Sequence, residues 1–504
     1  MRGLTHVIQE RGLKMKKKLI RLTSMGLAAV MAFGLAACDG GSGSNGGGGS
    51  AANEYTKPDS IKMTFDTCMT PENGVNDVCA KYEELTGIKL ELEKPDHNKY
   101  YEKITLAFAS GNPSDVIEMG STYYPENANN GALWDMTDAW ENTTAHCKEI
   151  IDESYVEALK MDVRDGSGMR LYGFPTVAGN GTITYVREDW MKDAGLTEPP
   201  KDYAGFIEML RKFKARGGGA IPLTAAGLLN NGETPYDIYL REFYQDAKPD
   251  FYQKDDGTWA DGFSEPEMAA ALTRLREAFA EGLIDGEIVT NKTSTCRDKF
   301  NSGLVGAFNY WAGMWDAKLE DTTPGAVLIP MPAIAETGGY TERVPTAMVI
   351  TSNCSNPVGV FEDLIMYSHD GGEGQMLFTR GVEGEHYEKK EDGTTVALPY
   401  LEDPSKNVEK AFYAPELTIT QWDDPIALDP RVENSLEVFR SNRKFATVPV
   451  VSDIISDSLA NLNVIKGEVV ANVLHGNLTV DEGMEKYNKE AAPYVEAILA
   501  DLNG

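Results

Sequence analysis

A strand, a helix and a second strand follow one another between residues 61 and 92, and this order constrains the fold more than any other feature of the sequence. The apolar run Ile61–Phe65 predicts a strand. Apolar residues then recur at helical spacing up to Gly87, namely Val75, Val78, Cys79, Tyr82 and Leu85. Ile88, Leu90 and Leu92 alternate with charged residues, as in a half-buried strand. This order begins a mostly parallel sheet, so we expect an α/β fold.

The pattern continues with a predicted helix over Tyr100–Ala109 and a predicted apolar strand over Val116–Met119. A chain of 504 residues is too long to fold around a single hydrophobic core, so we expect at least two lobes. Its composition, 42% hydrophobic and 25% charged, is that of an ordinary globular protein.

Two later helices carry the sequence signature of a capping box. Ser264 with Glu267 predicts a helix start that has Pro266 in its first turn, and Gly282 marks its end. The predicted apolar face of this helix comprises Met268, Ala271, Leu272, Leu275 and Phe279. A second capping box, Thr479 with Glu482, predicts the start of the last helix.

The N-terminus predicts a secretory signal at residues 1–37, with either Met1 or Met15 as the start. Its basic residues are Lys14, Lys16, Lys17, Lys18 and Arg21. An apolar stretch from Leu22 to Ala37 follows; it is shorter than the ~20 residues of a bilayer span. The ending Leu35-Ala36-Ala37-Cys38 resembles the lipobox of bacterial lipoproteins, which implies that Cys38 is lipidated. The alternative is an ordinary signal peptide with a chance cysteine. Residues 38–54 then form a Gly/Ser-rich linker, expected to be flexible.

Charge and cysteine content argue against nucleic-acid binding and against a metal site. Lys plus Arg total 47 against 78 Asp plus Glu, a net charge of −31, which argues against a nucleic-acid partner. With Cys38 lipidated, five cysteines remain, and only Cys68 and Cys79 are close in sequence. We expect buried free thiols and no metal site. The Asp-rich loops Asp162–Gly168 and Asp255–Asp261 lack the bidentate Glu of a calcium loop, and Lys254–Thr258 predicts a hairpin turn.

Aromatic residues follow two predicted strands. Tyr123 and Tyr124 lie just after Val116–Met119, in a predicted short loop, and Trp311 and Trp315 follow Phe300–Phe308 together with Tyr310. In α/β sheets ligands bind outside the carboxyl ends of strands. A flat ring there covers the C–H face of a sugar, although part of this group can equally belong to the core. No catalytic motif accompanies these residues, and frequent acidic residues make a glycosidase carboxylate pair a weak signal.

The chain resembles the family 1 extracellular solute-binding proteins, the superfamily of maltose-binding protein, and within it the lipoprotein branch of Gram-positive bacteria. The matching stretches, in order, are Lys81–Lys89, Phe108–Ile117, Leu171–Trp190, Glu281–Ile288, Phe300–Phe308, Gly381–Tyr387 and Thr479–Tyr487. The resemblance implies a two-lobe periplasmic-binding-protein-like fold of type II that closes over ligand at a hinge. Lobe one is expected at 55–176 plus 331–379, and lobe two at 177–330 plus 380–504.

The resemblance also implies a set of ligand contacts. It places them at the carboxyl ends of the strands and in neighbouring loops, at Asp66, Thr67, Ser121, Tyr123, Tyr124, Glu233, Tyr236 and Trp311, to which the aromatic pattern adds Trp315. The maltose-binding pattern has Trp where this chain has Met119, and Glu where it has Gly179 or Asn180. The maltose-binding pattern also has a helix with a Trp at the position where this chain has Asn461–Asn463. These departures argue against malto-oligosaccharides but not against sugars in general.

We therefore expect a monomeric, lipid-anchored protein on the extracellular face of a Gram-positive membrane. It would deliver a mono- or oligosaccharide to the permease subunits of an ABC importer, without a cofactor and without enzymatic activity. Three alternatives stay open: the same fold with a peptide or other non-sugar solute, a surface glycoside hydrolase, and an adhesin-like lipoprotein that serves no transporter.

Overall fold

The computed structural model describes residues 55–120, 123–178, 181–226, 239–313, 315–323, 325–398, 410–424, 426–441, 443–446 and 450–503. The chain divides at Ala51, and every described residue belongs to the compact unit from Ala52 to Gly504. The predicted signal peptide, Cys38 and the linker lie outside the described residues.

Two larger sheets organise this unit. The first has the strand order β2-β1-β3-β14-β6, and the second has the order β12-β7-β11-β8. The strands of the first sheet are β1 (Ser60–Thr64), β2 (Lys89–Glu93), β3 (Val116–Met119), β6 (Phe174–Pro175) and β14 (Ala347–Ile350). Those of the second are β7 (Thr182–Arg187), β8 (Ile221–Ala225), β11 (Val305–Trp311) and β12 (Leu328–Pro330). Two-stranded pairs join β4 (Met161–Asp162) with β5 (Met169–Arg170), β9 (Phe251–Gln253) with β10 (Trp259–Asp261), β13 (Tyr340–Glu342) with β17 (Arg443–Phe445), and β15 (Tyr387–Lys389) with β16 (Thr395–Ala397).

Helices connect these strands. The described α-helices are Val75–Thr86, Tyr100–Ala109, Tyr123–Asn129, Thr137–Asn142, Cys147–Ile150, Glu153–Glu157, Glu188–Asp193, Tyr203–Lys214, Arg241–Tyr244, Pro266–Ala280, Thr293–Asn301, Trp315–Thr322, Pro357–Val360, Glu373–Arg380, Pro430–Ser441, Asp453–Leu474 and Val480–Asn503. A π-helical turn, Phe361–Met366, and short 3-10 turns complete the set. No described helix is long and apolar enough to cross a membrane. The mixture of sheets and helices confirms the predicted α/β class.

The first sheet begins as predicted. β1 pairs in parallel with both β2 and β3, so the carboxyl ends of these three strands meet at one edge. The helix between β1 and β2 buries Val75, Val78 and Tyr82 and ends at Gly87, whose φ of 72° favours glycine. β14 runs antiparallel to β3 and places Ala347 opposite Met119, so β14 starts at the edge where the parallel strands end.

The second sheet has a similar edge. β11 is parallel to β8 and antiparallel to β7. Trp311, the last residue of β11, therefore lies opposite Thr182, the first residue of β7. Asn309 lies opposite Thr184 and, two residues before Trp311, shares its face of the sheet.

The chain passes from the first sheet to the second between Pro175 and Thr182, and it returns between Pro330 and Ala347. These passages touch, because the Thr176 amide donates to the Thr346 carbonyl at 2.9 Å. At Gly181 the passages are so close that a Cβ atom would lie 2.2 Å from the Thr341 carbonyl oxygen, so only glycine fits there.

Residues 410–424 pack against elements near the first sheet. The Phe412 ring lies 5.3 Å from Phe65 and 4.9 Å from Phe378 between centroids. The predicted boundaries place this stretch in lobe two. The boundaries of the lobes stay a prediction, and these contacts favour moving 410–424 to lobe one.

The structure confirms some of the local predictions and contradicts others. The capping box at the last helix is confirmed: the Thr479 amide donates to Glu482 at 2.8 Å, and the Glu482 amide donates to the Thr479 hydroxyl at 3.2 Å. The capping box at Ser264 is wrong, because its hydroxyl donates to Asp261 and the helix begins at Pro266 without a side-chain cap. The hairpin turn at Lys254–Thr258 is confirmed. Free thiols are confirmed for the described cysteines, but burial is confirmed only for Cys68, Cys147 and Cys296, since Cys79 and Cys354 are partly exposed.

Candidate ligand-binding site

A buried carboxylate shapes the loop that follows β1. Glu118, in the middle of β3, is 3% exposed and accepts hydrogen bonds from the amides of Asp66 and Thr67 at 2.8 and 2.9 Å. The Thr67 hydroxyl also donates to Glu118, at 2.7 Å. Burial raises the pKa of the Glu118 carboxyl, whereas the three donors and the nearby Lys410 act in the opposite direction. The backbone at the end of β1 is therefore held by one side chain of the neighbouring strand.

The Asp66 side chain lies at the same edge. Its Oδ2 atom is 2.7 Å from Nδ1 of His97, whose side chain is 82% exposed. Its Oδ1 atom is buried and has no hydrogen-bond partner among the described residues. The Lys94 ammonium donates to the Asp66 carbonyl oxygen. Asp66 thus holds an acceptor that a donor on a ligand could satisfy.

Tyr123 forms an aromatic platform with Tyr101. The two rings stack with centroids 3.4 Å apart and planes 7° apart, and Tyr123 is 36% exposed. The Tyr101 hydroxyl accepts a hydrogen bond from the Gly120 amide at 2.9 Å, which ties the platform to the end of β3. Tyr123 begins a helix here rather than lying in the predicted loop.

Tyr124, predicted as a ligand contact, points into the core. It is fully buried, and its hydroxyl donates to the Leu159 carbonyl at 2.6 Å. The Tyr172 amide donates to the same hydroxyl at 3.3 Å. Adjacent residues at a helix start point in different directions, so one tyrosine of the pair is buried when the other is exposed.

Trp311 occupies the corresponding edge of the second sheet. Its ring is half-buried and meets the Tyr239 ring edge-on, with centroids 6.1 Å apart. The Arg343 guanidinium lies over the Trp311 ring, 5.1 Å from its centroid. Tyr310 is buried and stacks on Phe308, so it belongs to the core. Trp315 begins the helix that follows.

A buried polar network lies on the same face of the sheet as Trp311. The Asn309 amide group donates to the Thr184 hydroxyl at 2.9 Å, and that hydroxyl donates to Glu242 Oε1 at 2.7 Å. Burial raises the pKa of the Glu242 carboxyl, because the side chain is 1% exposed. Its Oε2 atom has no hydrogen-bond partner in the described part of the chain.

The structure brings four of the nine predicted contact residues to two strand-end edges. Asp66, Thr67 and Tyr123 lie at the edge of the first sheet, and Trp311 lies at the edge of the second. Three predicted contacts, Ser121, Glu233 and Tyr236, lie outside the described residues. No sequence pattern had pointed to the residues that support and surround these positions: Lys94, His97, Tyr101, Glu118, Glu242 and Arg343.

This fold, with polar and aromatic side chains at the carboxyl ends of its strands, is that of a two-lobe substrate-binding protein. The bacterial extracellular solute-binding protein family matches residues 70–362, more than half of the chain, and the protein belongs to this family.

Individual relatives agree with this assignment. The diacetylchitobiose binding protein DasA of Streptomyces coelicolor is 28% identical over 353 residues, 69% of this chain and 72% of DasA. The lipoprotein LipO of Bacillus subtilis is 24% identical over 419 residues, 77% of this chain and 76% of LipO. The crystal structure of NgtS, an N-glycan transport solute-binding protein from Streptococcus pneumoniae, superposes with a TM-score of 0.64. That superposition covers 89% of this chain and 98% of NgtS at 16% identity, and it shows the shared fold.

Proposed function

We propose that this solute-binding protein captures a mono- or oligosaccharide between the two strand-end edges and delivers it to an ABC importer. The observation that carries the proposal is the pairing of an exposed aromatic ring with polar groups at one edge. Tyr123 supplies the ring, and Asp66 and Thr67 supply the polar groups. The names of DasA and NgtS, which refer to diacetylchitobiose and N-glycan, support a saccharide.

Each residue has a definite role in the proposal. The rings of Tyr123 and Trp311 cover C–H faces of the sugar, and the unpaired Asp66 oxygen accepts from a sugar hydroxyl. Thr67 holds its position through Glu118. Ligand that touches both edges binds the closed form better than the open form and shifts the population toward closure. Tyr124 has no part in binding, because its hydroxyl is occupied in the core.

We also propose that the protein is anchored to the cell membrane and meets its permease there. Cys38 carries a lipid that holds the protein on the extracellular face of the membrane, and the linker of residues 38–54 separates the folded unit from that surface. The protein acts as a monomer, and its closed form meets the permease subunits. Capture needs no chemical step, so we propose no enzymatic activity.

A thermal-shift screen tests the proposal. Residues 38–504, which retain the whole compact unit, are heated with a panel of mono- and oligosaccharides and, in parallel, of amino acids and peptides. A ligand present at about 100 times its Kd stabilises the fold by ~2.7 kcal/mol, which raises the Tm by a few degrees. We expect such a shift with one class of saccharide. A shift with peptides or amino acids alone would overturn the sugar proposal.

Matched variants locate the site in the same screen. Trp311→Ala should abolish the shift, whereas Trp259→Ala should keep it. Trp259 has similar exposure but lies in the β9–β10 hairpin, outside both larger sheets. Equal loss in the two variants would remove Trp311 from the site. Release of monosaccharide from the ligand during the incubation would instead favour a glycoside hydrolase.

A further inference from the structure

The backbone just before the short helix Arg241–Tyr244 has an unfavourable conformation beside Trp311. Leu240 is fully buried, and its φ of 58° lies in the left-handed region, which costs free energy for any residue with a Cβ atom. Tyr239, the residue before it, is also buried, and its ring meets the Trp311 ring edge-on with centroids 6.1 Å apart. Such a conformation persists only where surrounding contacts hold it, so the position of Tyr239 depends on what holds Leu240.

The Asn309 side chain supplies such a contact. Its Oδ1 atom accepts from the Leu240 amide at 3.2 Å, and its Nδ2 atom donates to the Thr184 hydroxyl at 2.9 Å. That hydroxyl donates to Glu242 Oε1 at 2.7 Å, so the chain of hydrogen bonds leaves the segment at Leu240 and returns to it two residues later. Asn309, Thr184 and Glu242 are each at most 1% exposed, where water does not replace a lost hydrogen bond. The network therefore fastens the segment to β11 and β7.

The two ends of this segment are held by different side chains. At the far end of the short helix, the Arg274 guanidinium donates to the carbonyl oxygens of Phe243 and Tyr244 at 2.6 and 3.1 Å. These bonds satisfy backbone groups that the last turn of a helix leaves without a partner. The far end is thus anchored without the Asn309 network. What that network fixes is the near end, which carries the Tyr239 ring.

We propose that Asn309 is a positioning residue for ligand binding. Because it is buried, its side chain does not touch the saccharide; it holds Leu240 in the left-handed conformation, which sets the Tyr239 ring against Trp311. The Trp311 ring is half-buried, so a neighbour packed against it limits the orientations in which it meets a sugar. This inference rests on the proposed function, in which Trp311 covers a C–H face of the saccharide.

A double-mutant cycle between Asn309 and Trp311 tests the proposal by calorimetric titration of residues 38–504. The probe is diacetylchitobiose, or the saccharide of the thermal-shift panel that gives a larger shift. Asn309→Ala should weaken binding roughly tenfold. In the Trp311→Ala background, titrated at higher saccharide concentration, the same substitution should change affinity by less than about twofold, because the ring that Asn309 positions is gone. Equal losses in the two backgrounds would show that Asn309 does not act through Trp311.

A matched pair at Thr184 separates the network from the fold. Thr184→Val keeps the shape of the side chain but removes the hydroxyl that links Asn309 to Glu242, so it should weaken binding about as much as Asn309→Ala does. Thr184→Ser keeps the hydroxyl and should bind within about threefold of the wild type. Equal affinity in the two Thr184 variants would contradict the role of the network.

Gln375→Ala is the control for loss of a buried carboxamide. Gln375 is fully buried and accepts a hydrogen bond from the Gly371 amide at 3.1 Å. It lies in the helix Glu373–Arg380, which belongs to neither larger sheet. Gln375→Ala should lose stability and keep its affinity. Thermal unfolding of each variant checks that it is folded.

A measurement without saccharide separates this inference from the proposed function. The chain has seven tryptophans, and labelling with fluorotryptophan reports on them by fluorine NMR. The Trp311 resonance is assigned by its absence in Trp311→Phe. Asn309→Ala and Thr184→Val should shift or broaden this resonance, whereas Gln375→Ala should not. An unchanged Trp311 resonance in Asn309→Ala overturns the positioning role, whether or not a saccharide binds. If the resonance shifts but no saccharide binds, the proposed function fails and the control of the Trp311 ring by Asn309 stands.

Discussion

Replacing Glu118 should disturb both the stability and the ligand affinity of the protein, because one buried carboxylate holds the loop after β1. Glu118→Ala leaves the amides of Asp66 and Thr67 without their acceptor. Each unsatisfied donor costs about 1–3 kcal/mol, so the free energy of unfolding should fall by about 2–6 kcal/mol. Glu118→Gln keeps an oxygen acceptor for both amides, loses charge assistance and replaces the acceptor of the Thr67 hydroxyl with an NH2 group, so it should lower the free energy of unfolding by about 1–2 kcal/mol. Urea unfolding followed by circular dichroism measures both changes.

The pH dependence gives a second readout with a definite sign. Burial raises the pKa of the Glu118 carboxyl in the folded state. A group with a raised folded pKa contributes stability at low pH and loses that contribution as pH rises through the folded pKa. The free energy of unfolding of the wild type should therefore fall relative to that of Glu118→Gln as pH rises above 4.3, about the ordinary pKa of Glu.

Glu362→Ala is the matched control. Glu362 is also a carboxyl whose pKa burial raises, and its hydrogen bond to a side chain comes from Thr143, at 3.0 Å. Glu362→Ala should lower the free energy of unfolding by about 1 kcal/mol and leave ligand affinity unchanged. Equal losses of stability in Glu118→Ala and Glu362→Ala, or unchanged ligand affinity in Glu118→Ala, would refute the role assigned to Glu118.

Three further predictions concern other parts of the chain. Thr479→Ala should lower the free energy of unfolding by about 1 kcal/mol, because it removes the cap of the last helix; an unchanged urea midpoint would contradict this. Asp285 has a lowered pKa, because hydrogen bonds from Lys299, Asn291 and Thr224 outweigh the effect of burial. It should therefore stabilise the fold above about pH 4 and lose this contribution as pH falls, and Asp285→Asn should flatten the acid limb of the stability profile. Tyr124→Phe should cost about 1 kcal/mol of stability without changing ligand affinity, and a large loss of affinity would return Tyr124 to the binding site.

The sequence predicted the opening of the fold well because its signals are local and agree with one another. The helix Tyr100–Ala109 and the strand Val116–Met119 have the bounds expected from periodicity. At Thr479 the two side chains of the capping box accept hydrogen bonds from each other's backbone amides, as the spacing predicts. At Ser264 a competitor exists, since Asp261 accepts from both the Ser264 hydroxyl and the Phe263 amide. Spacing alone does not reveal such competition.

The supporting residues of the site were harder to predict because their partners are distant in sequence. Glu118 stabilises a loop 51 residues earlier, and Arg343 reaches Trp311 from another passage of the chain. One signal was available: a charged residue inside a four-residue strand that is otherwise apolar needs buried partners. Tyr123 and Tyr124 are alike in sequence, and only the helix that begins at Tyr123 determines which ring is exposed.

A ligand site between the two strand-end edges is tested most directly by calorimetric titration of residues 38–504 with the saccharide that gives the largest thermal shift, repeated on Tyr123→Ala and Trp311→Ala. We expect one saccharide bound per chain, with affinity lowered in both variants because the ligand touches both edges. Loss in one variant alone would place the ligand on a single edge. Unchanged affinity in both would contradict the site.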